Sequence, residues 1–337
     1  RGRCAEVFKA GHAVSELGEE ISLIPGVGAA AARQIVDYLA AAHAMLGGLP
    51  TTTQLILERF FDQAGGMQLV LHAPLGVRIN RAFGLGLRKR FCKQFNFELQ
   101  AAATDDAVVI SLGAVHSFAL ETVWDYLHPN SVRQVVAQAV LDAPMFPIRW
   151  RWVTTCALAV PRFRSGRKVP PQIQRMAAED LVALVFPDQI ACQENISGPR
   201  EIPEHPLVDQ VIEDCLEEAM DIHGLIETLN DIREGRRTTR NCDLTEPSPL
   251  AAEILAANPY AFLDDAPLEE RRTRAVRTRR TAELEAAQPT GRIETEAVAT
   301  VHAALRPRFD DAEALHDALV SFGFLLEAEI WPLKDAG

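Results

Sequence analysis

The residues best suited to chemistry in this chain are cations, and they come in runs. Arg78, Arg81, Arg88, Lys89, Arg90 and Lys93 all fall between Met67 and Lys93, a stretch without one acid. The formal net charge is -12, so solubility gives no reason to gather cations there, whereas a polyanionic partner such as nucleic acid does. At roughly 3.6 residues per turn, Arg78, Arg81 and Arg88 share about 100° of one helix face, with Lys89 and Lys93 at its edge. Phe83 lies off that line, beside a strand–helix junction, and has two readings: a base stacked on its ring, or a place in the core. Phe91 and Phe95, at i and i+4, read as core.

A second acid-free run, RWRWVTTCALAVPRFRSGRK, extends from Arg149 to Lys168. Arg149 and Arg151 alternate with Trp150 and Trp152. Such interleaving suits a single strand held by phosphate contact and stacking, and cation–π packing on a helix would use the same letters. The piece RFRSGRK lies between Pro161 and Pro170 and has little core to fill. Arg162, Arg164, Arg167 and Lys168 therefore read as phosphate contacts in an exposed loop. A third run, EERRTRAVRTRR from Glu269 to Arg280, is basic on most faces of one helix. Two readings stand for it, nucleic-acid contact or pairing with the acidic stretch from Glu179 to Glu227.

Catalytic signals are few. Asp105-Asp106 could serve as a metal or general-base pair, but turn chemistry favours a hairpin tip. His72, at a strand end before Ala73-Pro74, reads as a hydrogen-bonded structural residue. Cysteines at 4, 92, 156, 192, 215 and 242 form no CxxC pair and support neither zinc nor a disulfide framework. The sequon at Asn195 reads as chance. No GxSxG, HExxH or Walker A pattern occurs. The chain reads as non-catalytic by itself, without a cofactor or metal of its own.

The elements that must position these residues follow from periodicity. Residues 1–50 read as a helical lead-in, in which ISLIPGVGAAAARQI fits a helix-hairpin-helix pattern or, the favoured reading, a Gly-containing turn between packed helices. Residues 51–117 read as an antiparallel α+β unit. In it 51–61 and 67–73 flank one hairpin, a basic helix runs from about Asn80 to Phe95, and 97–104 and 107–113 flank a second hairpin at Asp105-Asp106. From Phe118 strands stop, and 118–282 reads as a large α-helical region. Residues 283–337 read as a helical tail, the possible start of a truncated domain. The fold class is α+β: a small antiparallel sheet or partial β-barrel with a basic helix, followed by helices. At 337 residues, 48% hydrophobic and 24% charged, the chain can bury a core. No apolar run reaches the roughly 20 residues of a membrane span, which gives the expectation of a soluble, cytoplasmic protein. The absence of an initiator Met gives the expectation of a fragment.

Several long segments resemble the large helicase-related (Lhr) family in its DEAD/H-associated portion. They are HAPLGVRINRAFGLGLRKRF with TDDAVVISL, PRFRSGRKVPPQIQRMAAEDLVAL, HPLVDQVIEDCLEEAMDIHGL, and EPSPLAAEILAANPYAFLDDAPLEERRTRAV. The resemblance covers roughly residues 11 to 280. It implies an ATP-dependent superfamily 2 motor moving 3′ to 5′ on single-stranded DNA, unwinding duplexes and RNA–DNA hybrids, and acting in repair. It further implies that ATP and Mg bind to RecA-like domains that precede a winged helix and this accessory module. Single-stranded DNA or a DNA/RNA hybrid, those motor domains, the winged helix and repair proteins are the implied partners. Phe83 stands near a position where relatives carry a base-stacking aromatic, often Trp. Two other function classes stand beside this one: a helical scaffold for repair proteins, and a glycosylase-like enzyme using Asp105 or Asp106.

Overall fold

The computed structural model describes residues 1–10, 14–61, 66–95, 99–112, 118–190 and 198–257, with residues 296, 299–301, 311–323 and 325 beyond them. The third basic run, the Asn195 sequon and most of the tail lie outside the described residues. Residues 1–292 form one compact unit and 293–337 another. Within the second, the helix Ala312–Phe322 is capped by Asp311, whose Oδ1 accepts from the Ala314 amide at 2.8 Å.

The first unit opens on α1 (Gly2–Ala10), α2 (Val14–Ser22) and α3 (Ala29–Leu46). It continues through β1 (Gln54–Phe61), β2 (Met67–His72), α4 (Val77–Phe95), β3 (Gln100–Ala103) and β4 (Ala107–Leu112). A 3-10 turn at Leu120–Asp125 leads to α5 (Pro129–Val140) and α6 (Met145–Cys156). Then come β5 (Phe163–Arg164), β6 (Arg167–Lys168), α7 (Pro171–Val185), α8 (Pro206–Glu213), α9 (Ile222–Arg233), β7 (Thr238–Asp243) and α10 (Pro249–Ala256). No described helix is long and apolar enough to cross a membrane.

The main sheet has five strands in the order β3-β4-β2-β1-β7 and is open, not closed into a barrel. β2 is central and buried at all six positions. That is why MQLVLH reads as a continuous apolar run and not as alternation. On one face Leu55, Leu57, Leu69, Leu71, Val108 and Ile110 join the core that contains Phe83 and Leu85 of α4 and Val132 and Val136 of α5. On the other, Ile56 packs with Val36 and Leu39 of α3, while Phe60, Val70 and Val109 pack with Ala251 and Leu255 of α10. Helices thus cover both faces.

Three strands, β5, β6 and β7, fall where the sequence reads as helix or loop, after Phe118. β7 pairs parallel to β1, from Gln54↔Thr238 to Arg59↔Asp243. Its sequence, TTRNCD, is polar and mostly exposed, as suits an edge strand, so no apolar period marks it. Side chains hold it: Arg59 Nε donates to Asp243 Oδ1 at 2.5 Å, and Trp124 Nε1 to Asn241 Oδ1 at 2.8 Å. The antiparallel ribbon β5–β6 has two residues on each side, too short to show a period.

Candidate nucleic-acid interface

Helix α4 starts where Asp105 Oδ1 accepts from the Val77 amide at 3.0 Å. Buried Asn80 donates to the carbonyls of Ala73 (2.7 Å), Thr104 (2.9 Å) and Asp105 (3.1 Å), locking the β3–β4 tip to the start of the helix. The acidic pair is thereby spent on structure. Asp105 caps a helix, and Asp106 pairs with Arg1 at 3.0 Å.

Residues 82–87 of α4 are buried all round, because the helix lies between the sheet and the helices α5 and α9. This corrects two expectations. The Phe83 ring is 3% exposed inside the core and presents no face to a base. The cations do not line one groove either. The buried stretch divides Arg78 and Arg81 from Arg88, and ten residues of helix put Arg78 and Arg88 roughly 15 Å apart along the axis. Phe91 sits edge-on to Phe118 and Tyr126, with ring centroids 5.6 and 5.1 Å away.

The N-terminal arginines of α4 have partners of their own. Helix α8 continues as a π-turn, Asp214–Ala219, whose end leaves carbonyls without an intrahelical donor. Arg78 Nη2 donates to the Glu217 carbonyl and, at 2.9 Å, to that of Met220. Arg81 Nη1 donates to the Ala219 carbonyl. Guanidinium groups at a helix C-terminus satisfy those carbonyls and oppose the negative end of its dipole. Around the same turn Arg133 pairs with Glu217 at 2.9 Å, and Arg149 Nη1 with Glu218 Oε2 at 2.5 Å. The acidic stretch therefore meets the first two basic segments. Lys89 pairs with Asp142 Oδ2 at 2.7 Å, and Arg200 holds Asp142 Oδ1 at 2.5 Å. Burial pushes the Asp142 carboxyl up, but hydrogen bonds and charge from Lys89 and Arg200 outweigh it and hold the group below its ordinary value. Arg88 is partly buried and is itself engaged in a contact.

Trp150 is also structural, 2% exposed, with Nε1 donating to the Ala178 carbonyl at 2.7 Å and its ring stacked on Phe146. This corrects the expectation of a binding role. One face of α6 packs on α7, so the Arg–Trp alternation splits: Trp150 goes in and Trp152 out, 63% exposed.

What remains is the ribbon. Arg162, Arg164, Arg167 and Lys168 are all exposed, and among the described residues no carboxylate pairs with any of them. Ser165 (φ 51°) and Gly166 (φ 77°) make a two-residue tip with both φ positive, as a type I′ hairpin requires. The base of the hairpin is fixed. The Val169 amide donates to the Arg162 carbonyl at 2.8 Å, and Gln174 Nε2 of α7 to the Val169 carbonyl at 2.7 Å. Between hairpin and α7 lies a cleft of about 470 Å³, with Val160, Ile173 and Ala177 on its wall and Arg164 and Arg167 at its edge.

One polar site was legible in the sequence only at His72, whose hydrogen-bonded structural reading the structure bears out. Glu58 of β1, fully buried, accepts from the Ser248 amide and hydroxyl, both at 2.6 Å, and its Oε2 lies 2.6 Å from His72 Nε2. Ser248 Oγ in turn accepts from the Ala251 amide at 3.2 Å, capping α10. The carboxylate stands in the middle, where a triad needs the imidazole, and all three side chains are buried, so the trio clamps α10 to the sheet and is no hydrolytic triad. A Glu inside an apolar strand and the Ser-Pro pair that opens a helix were its signals. Among the described residues no cluster of three or more His, Cys, Asp or Glu could hold a metal ion.

An open mixed sheet covered by helices on both faces and carrying an outlying basic hairpin is an α+β architecture. The chain belongs to the DEAD/H associated family, whose model matches residues 49–251, from the lead into β1 to the capped start of α10. A Mycolicibacterium smegmatis protein named Lhr helicase/probable uracil glycosylase is 28% identical over 235 residues, 68% of this chain and 14% of that protein. The Escherichia coli Lhr helicase/uracil glycosylase is 25% identical over 228 residues, 67% of this chain and 14% of that protein. The ATP-dependent helicase Lhr-Core of Sulfolobus acidocaldarius is 23% identical over 227 residues, 67% of this chain and 24% of that protein. The chain thus spans about 14% of the length of the first two relatives. In fold it is similar to the Mycobacterium smegmatis helicase Lhr solved with ssDNA and AMP-PNP, with TM-score 0.59 and 22% identity over 72% of this chain and 30% of that one.

Proposed function

We propose that this chain is the accessory nucleic-acid-binding module of an Lhr-type ATP-dependent 3′-to-5′ helicase. It contacts the tracking single strand and couples translocation to unwinding in DNA repair. The observation that carries this reading is the hairpin at residues 162–168, with four exposed cations and no acid paired to them among the described residues, on a chain of net charge -12. The helicase names of the relatives support it. So does the exposure of Ile173, Met176 and Leu184 on α7, an apolar face suited to the motor domains or winged helix of the same polypeptide. ATP and Mg are bound by those motor domains, and the module itself hydrolyses nothing. Weighing against the glycosylase-like alternative, both of its proposed acids have structural partners, Asp105 the Val77 amide and Asp106 Arg1.

The test is the salt dependence of binding to a single-stranded oligonucleotide. Four phosphate contacts give a slope of log K against log[salt] of about -2.8, at about -0.7 per contact. Replacing Arg162, Arg164, Arg167 and Lys168 together by Gln abolishes binding at moderate salt if the reading holds. Unchanged affinity and slope would refute it.

A further inference from the structure

We infer that Phe163 is the residue on which a base of single-stranded nucleic acid stacks, with Lys168 beside it on the adjoining phosphate. This rests on the reading above and gives the two faces of the hairpin different tasks. Phe163 is paired across the ribbon with Lys168, and Arg164 with Arg167. Cross-strand partners share a face and neighbours along a strand alternate. Ring and ammonium therefore stand together on one face of the ribbon and the two guanidinium groups on the other, while Arg164, Arg167 and Lys168 all border the cleft against α7.

Three features of this short segment are each unfavourable without a ligand. Arg164 and Arg167 are like charges directly opposite each other, an arrangement that destabilises a β pair. Ser165 holds a left-handed φ of 51°, which L-residues with a Cβ adopt at a cost. Phe163 leaves 63% of its surface in water, while Phe60, Phe83, Phe91, Phe146 and Phe186 are all buried. A strand of nucleic acid answers the first and third together, because it brings phosphates to the arginines and a flat apolar face to the ring. The tight tip and the hydrogen bonds at the base hold ring and cations in place before the strand arrives, so little ordering is left for binding to impose.

The chemistry also separates substrates. Phosphates are present on single and double strands alike, but an open base face exists only where bases are unpaired. The cations then set affinity and salt dependence, and Phe163 sets the preference for single over double strands. Trp152 has equal exposure but lies on the helix α6, away from the cation ribbon in sequence, and is the control position.

The experiment measures, by fluorescence anisotropy on the 337-residue chain, affinity for a labelled oligothymidylate and for a duplex of equal length across a salt series. Phe163→Ala should weaken single-strand binding by roughly 5- to 150-fold, the range that corresponds to stacking of one base. Its salt slope and its duplex affinity should match those of the parent, and Phe163→Trp should restore single-strand binding in full. If Phe163→Ala binds the single strand as the parent does, while the four-cation variant does not, the stacking role is overturned and the nucleic-acid reading stands. If neither variant changes binding, the functional reading itself is overturned. A proportional loss on single and double strands would also overturn the stacking role.

Discussion

Replacing Arg81 with Met should destabilise the chain by about 2 kcal/mol and leave its affinity for single-stranded DNA unchanged. Methionine keeps the aliphatic stem and removes the donors, so the loss is confined to the guanidinium. That group gives a charge-assisted hydrogen bond to the Ala219 carbonyl at the end of the π-turn, and Ala219 is only 6% exposed. Bonds to charged groups contribute about 1.5–3 kcal/mol, and a buried carbonyl left unpaired finds no water to replace the donor. About 2 kcal/mol means a roughly thirtyfold change in the folded-to-unfolded ratio, measurable as a lower urea midpoint with unchanged m. The salt slope of single-strand binding should stay at the parent value. A variant that keeps its urea midpoint but loses about 0.7 from the slope would show that Arg81 contacts phosphate, and the structural assignment of the α4 arginines would fall.

Glu58→Ala should cost about 3–5 kcal/mol, because it leaves the Ser248 donors and His72 buried without their acceptor. Chemical denaturation reads it, and in a double variant with His72→Ala the two losses should fall short of their sum. For pH, the sign follows from Asp142, whose carboxyl burial raises but Lys89 and Arg200 bring below its ordinary 3.8. A depressed carboxyl contributes stability that is full above 3.8 and is lost as pH falls below that value through the lowered one. Stability measured across that acid range should drop more steeply for the parent than for Asp142→Asn.

The local elements were legible because their signals are local. The Asp105-Asp106 hairpin and the apolar run of β2 show in composition and period, and the helix after Pro74-Leu75-Gly76 differs from its expected start by three residues, since Asp105 caps it from Val77. β7 was not legible, because a polar edge strand is specified by its partners Arg59 and Trp124, far away in sequence. The site was half legible. Runs of cations are visible in a sequence, but which of them are neutralised depends on the end of α8 arriving beside α4 and α6. Phe83 and Trp150 illustrate the same limit. An aromatic among arginines looks alike whether its ring turns inward or outward, and only packing decides. Phe163, between two arginines in the loop RFRSGRK, gave no sign in sequence that it outranked them.

Site-specific photocrosslinking tests the central claim most directly. Single-stranded DNA carrying a photoreactive pyrimidine, irradiated with the 337-residue chain and mapped by peptide mass spectrometry, should mark residues 162–168, with Phe163 as the principal adduct. Adducts concentrated on residues 78–93 of α4, with the hairpin unmarked, would contradict the account.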